Sequence, residues 1–236
     1  MTVSAEFSMN LSYPAVVGTV HSAASLAAAL KLKKGECDWL ELRVDHFHPS
    51  VGELRRIAPK LACPRIVTVR HASEGGLAKG MTPRERRALY LDFLEPAALV
   101  DLELRHAAGM KEVIRQARDA GAGLILSHHD FQRTPPPGRL RELARRARDA
   151  GADIFKVAAM TQGAGDLARL MEFLADEKER LPLAVMGMGS WGKISRLVLA
   201  QAGSCLNYGY LGTPNASGQW PAALLKARIA ELRDAR

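Results

Sequence analysis

The chain has 236 residues, 47% of them hydrophobic, which is enough to bury a large core within the size at which barrels and open α/β sheets fold as one domain. Its formal net charge is +8, but the arginines sit mainly in stretches such as RLRELARRARDA, where acids are interspersed at helical spacing. Solvated helix faces, not a nucleic-acid surface, are therefore expected. The longest apolar run, AASLAAAL at 23–30, is too short to cross a bilayer, and the N-terminus lacks the basic-then-apolar order of a signal peptide. The cysteines Cys37, Cys63 and Cys205 are too few and too scattered for a disulfide framework, and no CxxC or CxxH pair suggests zinc or a redox couple. A cytoplasmic protein without membrane, nucleic-acid or metal partners is the expectation.

In chain order, short β-rich runs fall at 15–20 (AVVGTV), 38–45 (DWLELRVD), 65–70 (RIVTVR) and 98–105 (ALVDLELR). Four more follow at 123–130 (GLILSHHD), 154–160 (IFKVAAM), 182–188 (PLAVMGM) and 206–212 (LNYGYLG). Amphipathic stretches lie between them. Examples are TPRERRALYLDFL, where Thr82 and Glu85 fit a capping box, and DLARLMEFLADEKERL. Eight such units without a linker predict a single-domain (β/α)8 TIM barrel over residues 1–236, with the residues before Tyr13 packing under its floor.

Strand parity points to a site. Glu41, Arg43 and Asp45 alternate with Leu42 and Val44, and Asp101, Glu103 and Arg105 alternate with Leu102 and Leu104. If the apolar positions face the helices, both charged triplets face the barrel interior, where opposite charges must pair and a polar ligand can bind.

Lys156 is centred in an apolar strand, where an aliphatic side chain would cost less. Desolvation and cations such as Arg43, Arg70 or Arg196 would disfavour its ammonium form and make it a nucleophilic amine, suited to forming an imine with a ketone. His129 shares parity with Ile125 and Ser127, whereas His128 shares it with Leu124 and Leu126. His129 is thus expected to face the site at a strand's C-terminal end, as the base that removes a proton acidified by the imine.

Six strings in order, ELRVD (41–45), EGG (74–76), SHHDF (127–131), FKVAAM (155–160), GKISR (192–196) and SGQ (217–219), resemble the motifs of type I 3-dehydroquinate dehydratases. The resemblance runs from about Val16 to the C-terminus. It implies that Lys156 forms a Schiff base with the ketone of 3-dehydroquinate, and that His129 carries the proton while Glu74 positions the ring. It further implies that Arg196 holds the substrate carboxylate. Glu41, Arg43 and Arg70 would bind hydroxyls and neighbouring polar groups, Tyr208 would wall the pocket, and Gln219 would act from a lid. Where the family often carries a lid serine, this chain has Asn215, an expected substrate contact. No cofactor is implied, and the family is commonly homodimeric. The alternative on the same barrel is a class I aldolase using the same lysine. The string GMGSWG at 187–192 matches a dinucleotide-binding pattern, but no acidic residue closes the following strand.

Overall fold

The computed structural model describes residues 14–49, 51–77, 79–95 and 97–234; the expectation for the chain before Tyr13 lies outside them. Eight parallel strands run in sequence around a barrel: β1 (Ala15–Val20), β2 (Trp39–Arg43), β3 (Arg65–Thr68), β4 (Ala97–Glu103), β5 (Gly123–Asp130), β6 (Ile154–Met160), β7 (Leu183–Met188) and β8 (Leu206–Tyr210). Each strand pairs in parallel with its sequence neighbour from β1 to β7, and β1 also pairs with β8. The seam between β7 and β8 is spanned at its base. There Cys205 N–H donates to Leu183 O (2.8 Å), and Val185 N–H donates to Ser204 Oγ (2.9 Å).

The helices are α1 (Ala23–Leu30), α2 (Gly52–Ile57), α3 (Pro83–Asp92), α4 (Lys111–Asp119), α5 (Pro137–Asp149), α6 (Ala164–Glu177), α7 (Gly192–Ala202) and α8 (Ala222–Asp234). The expected capping box opens α3: Thr82 Oγ1 accepts from Glu85 N–H, and Glu85 Oε2 accepts from Thr82 N–H. Local sequence therefore sets where this helix begins.

Period-2 alternation divides the core in two. Outward residues such as Leu40, Leu42, Val100, Leu102, Leu124, Leu126, Phe155 and Val157 join helix residues such as Leu140, Leu170 and Phe173. Each fully buried aliphatic or aromatic side chain there contributes about 1.5–3 kcal/mol. Inward, Val17, Trp39, Ile66, Leu99, Ile125, Ile154, Ala184 and Leu206 make an apolar floor. Two residues further along, the same strands present Thr19, Glu41, Thr68, Asp101, Ser127, Lys156, Met186 and Tyr208, all buried. Another step of two reaches Arg43, Arg70, Glu103 and His129. Polarity thus rises toward the strands' C-terminal ends, the end where barrels build their sites.

Four of the predicted strands, β2, β3, β4 and β8, overrun at their C-terminal ends, and in two of them the overrun carries a residue of the charged triplets. Pairing in β2 stops at Arg43 and in β4 at Glu103, so Asp45 and Arg105 lie on 3-10 turns. Asp45 stays buried against Arg43, but the Arg105 side chain is 60% exposed. Parity ceases to predict direction once the backbone leaves the extended conformation, and Arg105 turns largely to solvent, reaching the buried Glu74 only at 3.9 Å.

Candidate active site

Lys156 sits mid-strand in β6 with its side chain 4% exposed. Its Nζ donates to Asp101 Oδ2 at 2.7 Å and to Glu41 Oε1 at 3.4 Å, and lies 4.2 Å from the centre of the Tyr208 ring. The sequence predicts arginines as its neighbours; the structure sets two carboxylates against the amine, one of them shared with Arg70. Arg70 does lie close, since it and Lys156 donate to the same Asp101 oxygen, whereas Arg43 and Arg196 are held by partners of their own. Arg43 donates two hydrogen bonds to Asp45 (3.0 and 2.8 Å). Arg70 donates to Asp101 (2.9 Å), Ser127 (2.6 Å) and Glu103 (3.4 Å). Glu103 is also bound by Arg86 and by His71 N–H. Although burial opposes it, the charge of Arg70 holds Asp101 well below the usual carboxylate range, with Lys156 adding to the effect. Removing one partner from such a buried network strands the other charge.

His129 lies on the same face of β5 as Ser127. Glu74 Oε2 accepts both the His129 backbone N–H (3.1 Å) and Nδ1–H (3.0 Å). With Glu74 ionised, Nδ1 must carry the hydrogen, which leaves the Nε2 lone pair for the cavity. Burial, with Arg70 and Lys156 nearby, depresses the imidazole pKa well below its ordinary value, so the ring is neutral. Burial also pushes the Glu74 carboxyl up to about 7, against the opposing pull of Arg70, the His129 amide and Arg105. His128 faces away from the cavity and is half-buried.

Arg196 is 2% exposed in the N-terminal half of α7. Its Nε donates to Tyr208 O (3.0 Å), and Nη1 donates to the carbonyls of Gly187 (2.9 Å), Gly192 (2.8 Å) and Gly218 (2.6 Å). Among the described residues no carboxylate pairs with it, and burial lowers its pKa to about 10. The glycine-rich string serves this packing. A Cβ on Gly192 would lie 2.7 Å from Gly218 Cα, and Gly218 has φ +76°, a conformation favouring glycine. The string thus holds two loop backbones against one guanidinium, and the dinucleotide reading has no support in its surroundings.

The chain after β8 folds over the opening. Gln219 Oε1 accepts the N–H groups of Asn215 (3.0 Å) and Ala216 (3.2 Å), orienting the amide. Three polar atoms near the cavity, Tyr208 Oη, Thr19 Oγ1 and Asn215 Oδ1, are buried without a protein partner among the described residues. Such groups mark places where a polar ligand or water is expected.

One cavity of about 110 Å³ unites the site. Glu41, Arg43, Arg70, Glu74, His129, Lys156, Arg196, Tyr208, Asn215 and Gln219, the ten residues singled out in the sequence, all line it. Thr19, Phe131, Met186 and Met188 line it too and fall outside that set. Parity would have found Thr19, two residues beyond Val17. Parity does turn Asp101 inward, but it does not reveal Asp101 as the partner of Lys156, because the two are 55 residues apart. Among the described residues no His, Cys, Asp and Glu cluster could hold a metal ion, and no helix is long and apolar enough to cross a membrane.

The family model for type I 3-dehydroquinase matches residues 15–233. A 3-dehydroquinate dehydratase of Thermococcus onnurineus is 32% identical over 94% of this chain and 100% of its own length. That of Methanocella arvoryzae is 36% identical over 87% of this chain and 91% of its own. Among solved structures, the 3-dehydroquinate dehydratase of Geobacillus kaustophilus superposes with a TM-score of 0.84 at 27% identity, covering 94% of this chain and 92% of that one. The type I enzyme of Clostridium difficile, with covalently modified comenic acid, gives 0.85 at 26% identity over 95% and 94%. Fold, ordered motifs and length all coincide, so the chain belongs to the type I 3-dehydroquinase family of hydro-lyases.

Proposed function

We propose that this chain converts 3-dehydroquinate to 3-dehydroshikimate and water through a Schiff base on Lys156, within the shikimate pathway of the cytoplasm. No cofactor takes part, and the working unit is a homodimer of single-domain subunits. The observation that carries the reading is a buried lysine sharing one cavity with Arg196, a buried cation that has no carboxylate partner among the described residues. Such a cation calls for an anionic ligand, and an amine in the same cavity suits a ketone on that ligand.

Lys156, once it sheds a proton, attacks the ketone carbon, and loss of water gives the protonated imine. Asp101 and Glu41, which pair with the ammonium, are placed to hold the iminium nitrogen as well. The iminium acidifies the adjacent C–H, and Nε2 of the neutral His129 takes that proton to leave an enamine. The enamine expels the β-hydroxyl, which departs as water with the proton returned by the imidazolium, and hydrolysis of the imine releases product and Lys156. Glu74 keeps Nδ1 protonated and so keeps Nε2 basic. Arg196 binds the carboxylate; Glu41, Arg43, Arg70, Asn215 and Gln219 bind hydroxyls or close over them; Tyr208 walls the ring. A class I aldolase would share the imine, but the dehydratase relatives and the His129–Glu74 pair favour elimination.

Borohydride added with 3-dehydroquinate should inactivate the protein and leave the reduced ligand's mass on Lys156, while without borohydride enone absorbance should grow. Labelling of another lysine, or none, would overturn the Schiff-base assignment.

A further inference from the structure

The fold brings together two thiols that the sequence left apart. Cys37 and Cys63 each lie two residues before a strand, β2 and β3, at the N-terminal rim of the barrel, opposite the catalytic cavity. Their sulfurs are 3.8 Å apart, and Cys63 Sγ also lies 3.8 Å from Cys37 O. Cys37 is 6% exposed, whereas Cys63 is only half-buried. The surrounding rim is tied down: Asp38 Oδ2 accepts Val16 N–H (2.8 Å), and Asp38 Oδ1 accepts Lys226 Nζ (2.6 Å).

We propose that Cys37 and Cys63 form a redox-active thiol pair, which a hydroperoxide closes reversibly into a disulfide that clamps the barrel floor and leaves catalysis untouched. Cys63, reachable from solvent, attacks first: its thiolate displaces hydroxide from the peroxide oxygen and becomes a sulfenic acid. The Cys37 sulfur then attacks the Cys63 sulfur and expels water. In sum, two thiols and one hydrogen peroxide give one disulfide and two waters. The Cys63 thiol is prepared for this, because the hydrogen bond from Cys37 is the largest influence bringing its pKa down to about 7. Asp38 opposes the thiolate, and Lys226 and Arg65 favour it. Cys205, 1% exposed and with its thiol pushed up to about 12 by burial, stays outside this chemistry. Closing the pair requires the sulfurs to approach by less than one bond length, which side-chain rotation at a chain rim can supply.

The test treats the full chain with a small excess of hydrogen peroxide. Thiols titrated after unfolding should fall from three to one, and peptide mapping should join residue 37 to residue 63 within one chain. The melting temperature should rise by about 5 to 10 °C, because the bond closes a long loop. Dithiothreitol should reverse the shift, and turnover should not change. C63S and C37S should show neither link nor shift, while C205S should keep both. A persistent sulfinic acid on Cys63, a link between chains, a link through Cys205, or a 37–63 disulfide that lowers turnover would each overturn the proposal.

Discussion

Glu74 carries a cost and a benefit that one pair of variants separates. Burial raises its carboxyl from 4.5 to about 7, so the folded state keeps a proton that the unfolded chain has already lost. The contribution of this group to stability is therefore full below about pH 4.5 and is lost as pH rises through about 7. The side chain is 3% exposed, so solvent screening is slight, and the shift corresponds to about 3 kcal/mol lost across that window. Glu74→Gln removes the titration while keeping the shape. Urea unfolding at about pH 5 and about pH 8 should show the variant gaining on the parent by about 3 kcal/mol between the two conditions. The proposed benefit of the carboxylate is catalytic. Glu74→Ala deletes the acceptor of Nδ1–H and frees the ring to place its hydrogen on Nε2. Losing a charge-assisted hydrogen bond worth about 1.5–3 kcal/mol predicts a fall in kcat of about 10- to 150-fold. Glu74→Gln can still offer an amide oxygen and should lose only about 5-fold, the gap of about 1 kcal/mol between a charge-assisted bond and a neutral one. A stability difference indifferent to pH would refute the buried-carboxylate reasoning, and full turnover in Glu74→Ala would refute the positioning role.

Two further outcomes test the site. Arg196→Lys should raise KM and depress turnover well beyond what conserved charge suggests, since an ammonium cannot serve four carbonyl contacts and a carboxylate together; unchanged kinetics would move the anion site elsewhere. His129→Ala should still form the borohydride-trapped imine on Lys156 but lose turnover by about 10²- to 10⁴-fold. His128→Ala, off the cavity, should cost about 1–3 kcal/mol of stability with turnover per folded molecule nearly kept. The reverse pattern would mean that the roles of the two rings are exchanged.

Sequence by itself determined what depends on periodicity. Eight apolar runs at a recurrence of about 25 residues specify the parallel barrel, because a strand with one face on helices and one on the interior must alternate. Parity separates His129 from His128 and turns Glu41, Arg43, Asp101 and Glu103 inward. It fails at Arg105 because strand ends are set by pairing and solvation, which periodicity does not encode. The ordered motifs hold seven of the ten expected site residues that line the cavity; Arg70, Tyr208 and Asn215 lie outside those strings and came from the wider resemblance. Tertiary structure alone decided who pairs with whom. Lys156 pairs with Asp101 and Glu41 and shares Asp101 with Arg70, Arg196 is left without a counter-ion among the described residues, and Cys37 meets Cys63. Charge balance in a buried network and the spacing of two sulfurs depend on barrel curvature and strand register, which bring together residues tens of positions apart.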